Sequence, residues 1–442
     1  TITHDWQPLK DGVEIKLNER DWEAGYTIAF GARDQLISRI EKIEGNVLTL
    51  ADEANRSVDD AVVRHNDGLA LQEAVDKGIK EKLNVFVPAG HYMLAGPVRV
   101  RNASAITIEG GSSVDTVLDI SEGEGACFAL EDGTDVIIRN FRMTGFMGFE
   151  EADKAGYVQT KGTTYVWGFG LKHCNAMNIR NTERVLVENC HASKMSGECF
   201  VSGGRSRGTI KPGESYTQWI TYRRCSVTDC ARNAFNDVYS SIENTSIINC
   251  RIVDVGGNSW EGASRFVKYI GNYMRNAGPV AAGNLGPPNR EAEKITPENR
   301  DLMYPQLGAG QHIIADNVFD SNTSYGGRPG GNAIISNNGA TQIIIRNNIF
   351  INFNSNGITV SGNTDATHYP SANTTITGNI FDLTCVGQKP IPRTAVVVSA
   401  CDTIISDNQI YVRGKADPQV TAIRLREPAL NVNIHDNLIR NC

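Results

Sequence analysis

The chain has 442 residues, of which 40% are hydrophobic and 21% are charged, and its formal net charge is −7. This mildly acidic balance, with no basic stripe, argues against nucleic acid as a partner. No apolar run reaches the roughly 18 residues that a membrane-spanning helix needs, so we expect no membrane span. The chain begins at Thr1 rather than Met, which is typical of a mature secreted or periplasmic protein after removal of a signal peptide.

Residues 1–64 contain short alternating runs such as VEIKL and ISRIEKIEGNVLTLAD. Alternation of period two predicts strands, and Glu44-Gly45-Asn46 has the composition of a hairpin turn. We expect a small β-rich N-terminal subdomain. Packing against the rest of the protein is its expected role, with contact to a substrate as the alternative.

A helix is predicted after this subdomain, with Asn66 and Asp67 at its N-terminus. Its apolar positions are Leu71, Ala74, Val75 and Ile79. Their spacing places them on one face, which can cover the open end of a sheet. Such an end needs a cover, since unpaired strands invite aggregation.

A short pattern then repeats ten times, as in VLVENCHA, HIIADNVF and IIIRNNIF, with 22 to 49 residues between copies. Each copy is an alternating strand, a one-residue corner and a second short strand. The corner position is occupied in turn by Phe141, Cys190, Cys225, Cys250, Asn272, Asn317, Asn348, Asn379, Asn408 and Asn437. The minimum spacing fits one coil of a parallel β-helix, and the excess must be loops.

The residue types in this column suit the interior of such a coil. Asn tolerates the left-handed backbone of a sharp corner, and stacked Asn side chains can bond to the coils on either side. The three corner cysteines are expected to be buried free thiols. One disulfide among the other seven cysteines remains open, and no cysteine pair has the spacing of a zinc site.

Together with the segment HNDGLALQEAVDKGIKEKLNVFVPAGHYMLAGPVRV, these repeats resemble the pectin-lyase-like superfamily. The resemblance implies an all-β fold: a right-handed parallel β-helix solenoid with an N-terminal capping helix, spanning 65–442 after the small subdomain 1–64. It also implies a carbohydrate-active enzyme, because the superfamily includes many polysaccharide lyases and glycoside hydrolases. The paired-Asp and Gly-His-Gly motifs of polygalacturonases are missing, so the resemblance leaves the reaction open.

Counting from the corner column aligns the strand that follows the next turn. Phe200, Phe235 and Trp260 share one position of this strand, and alternation places them inside. The next position holds Asn236 and Glu261, which are therefore predicted to face outward into an open groove. Three long loops leave the same strand, after Ser202, Ala282 and Ser361, and an aromatic-rich insertion follows Thr144. Side chains on these loops are predicted to wall the groove.

The carboxylates of this region are the candidate catalytic groups. Glu261, beside Trp260, is predicted to be the general acid, Asp237 the base or nucleophile, and Glu198 the third candidate. Adjacent rungs place the Glu261 and Asp237 carboxyl groups roughly 5 to 9 Å apart, which fits both retaining and inverting glycosidases. Strict alternation turns Asp237 inward, so its role requires a bend or bulge in its strand. The substrate-binding candidates are Asn236, Lys172, Arg205, Arg207, Arg265, Asn284, Arg290, Tyr304, His368 and Trp167.

Two alternatives to hydrolysis or glycosyl transfer remain open. A polysaccharide lyase would eliminate across a uronic acid, with Lys172 and the nearby arginines as its cations and Ca²⁺ as a possible cofactor; otherwise no metal or cofactor is expected. A non-catalytic glycan-binding β-helix is the other alternative. A polysaccharide or oligosaccharide is the expected partner in each case, and the protein is expected to be a monomer or a homotrimer.

Overall fold

The computed structural model describes residues 38–53, 57, 65–148, 174–204, 216–237, 242–262, 264–282, 310–320, 332–336, 340–352, 355–361, 372–384 and 392–442, together with the backbone of a few short strands elsewhere. Successive coils of this chain supply strands to three long parallel sheets. Among the described residues, no helix is both long and apolar enough to cross a membrane.

The first sheet has 12 strands, stacked in chain order along its length. They are Val85–Val87, Ser104–Gly110, Thr134–Arg139, Glu183–Glu188, Gln218–Arg223, Ser246–Ile248, Lys268–Ile270, Ile313–Ala315, Thr341–Arg346, Ala372–Thr377, Cys401–Ser406 and Leu430–His435.

The second sheet follows the first across the corner that carries the Cys and Asn column. Its strands are Gly90–Met93, Thr116–Asp119, Arg142–Thr144, His191–Ser193, Ser226–Cys230, Arg251–Val255, the first part of Tyr273–Ala282, Val318–Ser324, Ile349–Ile351, Ile380–Asp382, Gln409–Tyr411 and Leu438–Arg440.

The third sheet completes each coil and carries the predicted groove. Its strands are Val98–Arg101, Gly125–Glu131, Cys174–Arg180, Phe200–Gly203, Phe235–Asp237, Asn258–Gly262, the last part of Tyr273–Ala282, Asn332–Ser336, Asn356–Ser361, Arg393–Ser399 and Val420–Leu425. The strand Tyr273–Ala282 pairs in both the second and the third sheet, which joins the two.

The predicted helix, Gly68–Glu81, covers the first coil. Val75 is buried at its centre, and the side chains of Leu71 and Ile79 pack against the core. The side chain of Gln72 accepts from the amide of Arg99 at 2.7 Å and donates to the Arg99 carbonyl at 2.9 Å. Gln72 therefore pairs with the first strand of the third sheet as another strand would, which satisfies an otherwise open edge.

The N-terminal residues form antiparallel pairs, in contrast to the parallel coils. The strands Ile40–Glu44 and Val47–Leu50 form a hairpin around Gly45 and Asn46, as predicted. The short strands Ile2–Thr3, Gln35–Leu36 and Val62–Val63 form a second antiparallel sheet.

One antiparallel pair also occurs within the coils. The short strand Arg328–Pro329 pairs with the end of Val318–Ser324.

The Asn column forms the predicted ladder along the interior. The Asn317 Nδ2 atom donates to Asn348 Oδ1 at 2.9 Å, and the Asn348 Nδ2 atom donates to Asn379 Oδ1 at 3.0 Å. The same Oδ1 atoms accept a backbone amide from the preceding coil, and each Nδ2 also donates to a backbone carbonyl. Every ladder side chain thus satisfies backbone groups of the corner that neighbouring coils leave open.

The left-handed backbone conformation lies one residue before the ladder position, which corrects the expectation that the ladder Asn adopts it. Asp316, Asn347 and Asp407 have φ of 58°, 55° and 58°. The ladder side chain points inward from the next residue, while the residue before it makes the turn. Because the residue before the ladder position makes the turn, Asp, Asn or Gly precedes most ladder residues, since these types tolerate positive φ.

The thiol part of the column is buried and reduced. Cys190, Cys225 and Cys250 are free and almost inaccessible to solvent, as predicted. The Sγ atom of Cys225 contacts the Val187 carbonyl at 3.4 Å. The nine described cysteines are all free, so no disulfide joins any two of them.

Candidate functional site

The register of the third sheet is the one predicted from the sequence. Phe200 pairs with Phe235 and Phe235 with Trp260, and all three side chains are buried in the core. The Phe200 and Phe235 rings stack with their centroids 5.2 Å apart, while Trp260 meets the ring of His312 edge-on at 5.4 Å. The neighbouring column therefore aligns Asn236 with Glu261 on the opposite side of the strands.

Glu261 is not open to solvent, which corrects the expected groove position. Its exposed fraction is 6%, and Asn236 beside it is 4% exposed. The Asn233 Nδ2 atom donates to Glu261 Oε2 at 2.5 Å. The Oδ1 atom of Asn233 accepts the backbone amide of Asn258 at 2.8 Å, which fixes the amide group that holds the carboxylate.

Glu198 belongs to the same cluster. Its Oε1 atom is ion-paired with Arg232 and accepts from Asn236 Nδ2 at 3.3 Å. The side chains of Glu198 and Arg232 are 5% and 12% exposed, so the pair is largely removed from water. We call Glu198, Arg232, Asn233, Asn236 and Glu261 the carboxylate cluster.

One acceptor of the carboxylate cluster has no described partner. The Oδ1 atom of Asn236 is buried, and no described residue donates a hydrogen bond to it. A buried polar atom without a partner carries a free-energy cost, so such atoms are rare and call for an explanation.

Asp237 lies on the inner face, against its proposed role as the ionised base or nucleophile. Its strand stays in register with Ser202 and Gly262, with no bulge over Phe235–Asp237. The side chain is 1% exposed, and its Oδ2 atom accepts from Ser264 at 2.8 Å and from Trp260 Nε1 at 3.3 Å. Burial raises the pKa of Asp237 to about 6. Asp237 is thus a hydrogen-bonded interior residue, separated by the sheet from anything bound on the outer face.

The remaining candidates divide by whether the structure describes them. Arg265 lies at the corner after the third sheet, where its guanidinium faces Glu243 at 3.8 Å, and it is not a member of the carboxylate cluster. The strands that precede the three long loops end at Gly203, Ala282 and Ser361, and all belong to the third sheet. The other candidates lie outside the described residues: Trp167, Lys172, Arg205, Arg207, Asn284, Arg290, Tyr304 and His368.

Sequence reasoning missed Arg232 and the binding role of Asn233. Both precede a strand rather than lie in it, so strand alternation carries no information about them. The sequence did contain a signal: when the coils are aligned on the corner column, Glu198, Asn233 and Asn258 occupy equivalent positions in three consecutive coils. A carboxylate and amides stacked at one turn are typical of a hydrogen-bonded cluster. Among the residues that the structure describes, no group of three or more His, Cys, Asp or Glu is arranged to hold a metal ion.

Comparison with solved structures confirms the architecture. An exopolygalacturonase from Thermotoga maritima matches 86% of this chain over 89% of its own, with a TM-score of 0.55 and 12% identity. The parallel β-helix fold is therefore established. The β-helix also matches the Agl-KA catalytic domain, at TM-score 0.51 and 11% identity over 86% of this chain and 67% of that one. PfbA, a surface adhesin of Streptococcus pneumoniae, matches 85% of this chain and 88% of its own at TM-score 0.50 and 13% identity.

At the level of sequence, no family model and no curated protein matches the β-helix. Identities of 11% to 13% carry the fold and no residue roles. The chemistry therefore has to be argued from the residues of this chain.

Proposed function

We propose that the β-helix is a carbohydrate-active enzyme that cleaves glycosidic bonds of a polysaccharide or oligosaccharide, by hydrolysis or by glycosyl transfer. The observation that carries the proposal is the carboxylate cluster, which groups two carboxylates, two amides and one guanidinium over three consecutive coils of the third sheet. Most glycoside hydrolases cleave with a carboxylate pair, and amides supply hydrogen bonds that orient sugar hydroxyls.

The two carboxylates are linked through the coil that lies between them. Glu198 and Glu261 are two coils apart, and Glu198 also precedes the position in register with Glu261 by three residues. Both side chains contact the coil between them, Glu198 through Asn236 and Glu261 through Asn233. A carboxylate pair serves both inverting and retaining cleavage, and the anomer that forms first distinguishes the two.

The partners of each carboxylate assign the roles. The cation of Arg232 favours the ionised form of Glu198, which suits a base that takes a proton from the attacking water. Glu261 is held by the neutral amide of Asn233, and we assign it the transfer of a proton to the departing glycosidic oxygen. Asn236 lies in the coil between those of Glu198 and Glu261 and is in register with Glu261. Its Oδ1 atom has no donor among the described residues and would accept a substrate hydroxyl.

A second candidate, a non-catalytic glycan-binding β-helix, is favoured by the burial of the same residues. Glu198 and Glu261 are only 4% and 6% exposed, and a catalytic carboxylate has to touch its substrate. If the surface above them stays closed, the carboxylate cluster is structural and any glycan binds elsewhere on the β-helix. Turnover is the property that separates the two candidates.

The test is an activity screen on a panel of neutral glucans, xylans and mannans and of polygalacturonate and alginate. Reducing-end release without absorbance of an unsaturated uronate supports hydrolysis, and Glu261→Gln and Glu198→Gln should each lower it at least a hundredfold. Glu131→Gln is the matched control, because Glu131 lies on the third sheet and pairs with Arg99 and Arg101 outside the cluster.

Each other outcome has a distinct meaning. Absorbance of an unsaturated product would show the lyase alternative, and its loss on chelation would implicate Ca²⁺. Full activity in both glutamine variants, with unchanged circular dichroism, would remove the carboxylate cluster from catalysis. For an active wild type, NMR of the first-formed anomer distinguishes inversion from retention.

A further inference from the structure

A second column of left-handed residues runs along the corner where each coil enters the first sheet. These residues have φ between 50° and 60°. In chain order they are Ala105, Asp135, Arg184, Trp219, Asn244, Phe266, Gln311, Gln342, Asn373, Asp402 and Asn431. Seven of the eleven are Asp or Asn or the related Gln, and for bulky residues such as Trp and Phe this conformation is unfavourable.

Trp219 and Phe266 are the two aromatic members of this corner column. The Trp219 amide donates to the Glu243 carbonyl at 3.0 Å, and the Asn244 amide donates to the Arg265 carbonyl at 3.0 Å, so Asn244 lies between the two aromatic residues in the stack. Two rungs separate Trp219 from Phe266, which is roughly 9.6 Å.

Neither aromatic ring is part of the core. The exposed fractions are 47% for Trp219 and 38% for Phe266, whereas Trp260 on the third sheet is 1% exposed. Packing thus offers little compensation for placing Trp219 in the left-handed region, while Phe266 has the Arg265 guanidinium over its ring, 5.1 Å from the centroid. A strained and exposed aromatic side chain is a recognised mark of a functional position.

The surface around Trp219 is a shallow depression on the outer face of the first sheet. Its other lining residues are Arg184, Val185, Leu186, Thr221 and Arg223. Arg184 is paired with Asp135 at 2.7 Å and with Glu183 at 3.4 Å, and Arg223 is paired with Glu188 at 2.8 Å.

The charges of the depression are therefore balanced by neighbours on the same sheet. Each guanidinium carries five N–H donors, and pairing with a carboxylate leaves some of them for hydroxyl groups. A polyanion gains little here, because it would compete with carboxylates already in place. An uncharged ligand with apolar faces and many hydroxyl groups fits both the aromatic rings and the paired arginines.

We propose that Trp219 and Phe266 form an aromatic platform that binds an uncharged stretch of polysaccharide, away from the carboxylate cluster. The two rings stack on the C–H faces of sugars about one disaccharide apart, and Arg184 and Arg223, which line the depression around Trp219, bond to hydroxyls of the sugar on that ring. The platform holds a polymer on the first sheet and does not require the carboxylate cluster to be catalytic.

The test is affinity electrophoresis in native gels that contain dextran, arabinoxylan, galactomannan or arabinogalactan, with polygalacturonate and alginate as charged probes. At least one neutral polymer should retard the wild type, and Trp219→Asn and Phe266→Asn should each weaken retardation by roughly tenfold. Ile404→Ala is the matched control, because Ile404 is 41% exposed on the same sheet and should be retarded as the wild type is. Glu261→Gln should also be retarded normally, which separates this site from the proposed function.

Thermal stability gives a second, independent readout. Asn occurs at this corner in other coils and tolerates positive φ, so Trp219→Asn should keep or raise Tm while binding is lost. A fall of several degrees would show that Trp219 is a structural residue and overturn the proposal. It is also overturned by no retardation in any neutral gel, by salt-sensitive retardation in polyuronate gels alone, or by a Trp219-dependent dimer in sedimentation.

Discussion

Replacing Asp237 by Asn tests whether the buried carboxyl group lowers the free energy of unfolding of the β-helix at neutral pH. Asp237 is buried beneath the third sheet, where Ser264 and Trp260 donate to its Oδ2 atom and the hydroxyls of Thr245 and Ser202 also contact the carboxyl group. The amide oxygen of Asn can accept the bonds from Ser264 and Trp260 at the place of Oδ2. The substitution therefore removes the ionisable group and keeps the shape and these two bonds.

The magnitude follows from the pKa of Asp237. Burial raises this pKa from 3.8 to about 6, and at 1.36 kcal/mol per pH unit the difference is ~3 kcal/mol of folding free energy. The unfolded chain ionises above pH 3.8 while the folded protein keeps its proton up to about pH 6. The contribution of Asp237 to the free energy of unfolding is therefore fully present below pH 3.8 and is lost as the pH rises to about 6.

His312 acts in the opposite direction, so the wild-type curve alone is uninformative. Its side chain is buried against Trp260, and burial lowers its pKa to about 3. The folded protein keeps His312 neutral while the unfolded chain binds a proton below about pH 6.5. Stability from His312 therefore increases as the pH rises from about 3 to 6.5, and only the difference between wild type and Asp237→Asn isolates the carboxyl group.

The assay is calorimetric Tm of both proteins at pH 4.0, 5.0, 6.0 and 7.0. The unfolding entropy is about 2.1 cal/mol/K per residue, so for 442 residues a change of ~3 kcal/mol in the free energy of unfolding shifts Tm by roughly 3 °C. The Tm of the variant relative to wild type should therefore rise by roughly 3 °C between pH 4 and 7. A difference that is constant with pH would refute the reasoning, since it would mean that Asp237 titrates alike in both states.

Three further predictions concern the interior. His312→Gln should show the opposite pH dependence to Asp237→Asn: its Tm relative to wild type should fall as the pH rises from 4 to 7. Asn348→Ala should cost ~2–4 kcal/mol by leaving its ladder partners unsatisfied, and Asn437→Ala in the last coil should cost less, as measured by denaturant midpoints. Maleimide should modify Cys442 in the native protein well before Cys190, which is fully buried and has its pKa raised to about 12; equal rates in peptide mass spectrometry would contradict this.

The repeats made the fold predictable from sequence. Each copy carries the same alternation and the same inward corner residue, so the register of Phe200, Phe235 and Trp260 could be counted without coordinates. The ladder and the free corner thiols followed from the same pattern, whereas the capping helix followed from the helical spacing of its own apolar residues. The position of the left-handed residue did not, because Asn satisfies the requirements of both the turn and the ladder, and only the backbone shows which residue turns.

The candidate site was only partly predictable. Alternation correctly placed Asn236 and Glu261 on the outer column and Asp237 inside. It did not show that Glu261 is buried, since exposure depends on what lies over a strand and not on its own period. Arg232 was missed because it precedes its strand, where no periodic rule applies, and its ion pair with Glu198 joins two different coils.

The amino-acid pattern by itself determined the coil, its corner and the side of the sheet to which each side chain points, because these are local properties of a repeated strand. Only the tertiary structure decided which polar groups share a cluster, which carboxylates lose contact with water and which aromatic rings stay exposed. Those properties depend on atoms that are brought together from neighbouring coils, often 22 to 49 residues apart, and no short stretch of sequence contains them.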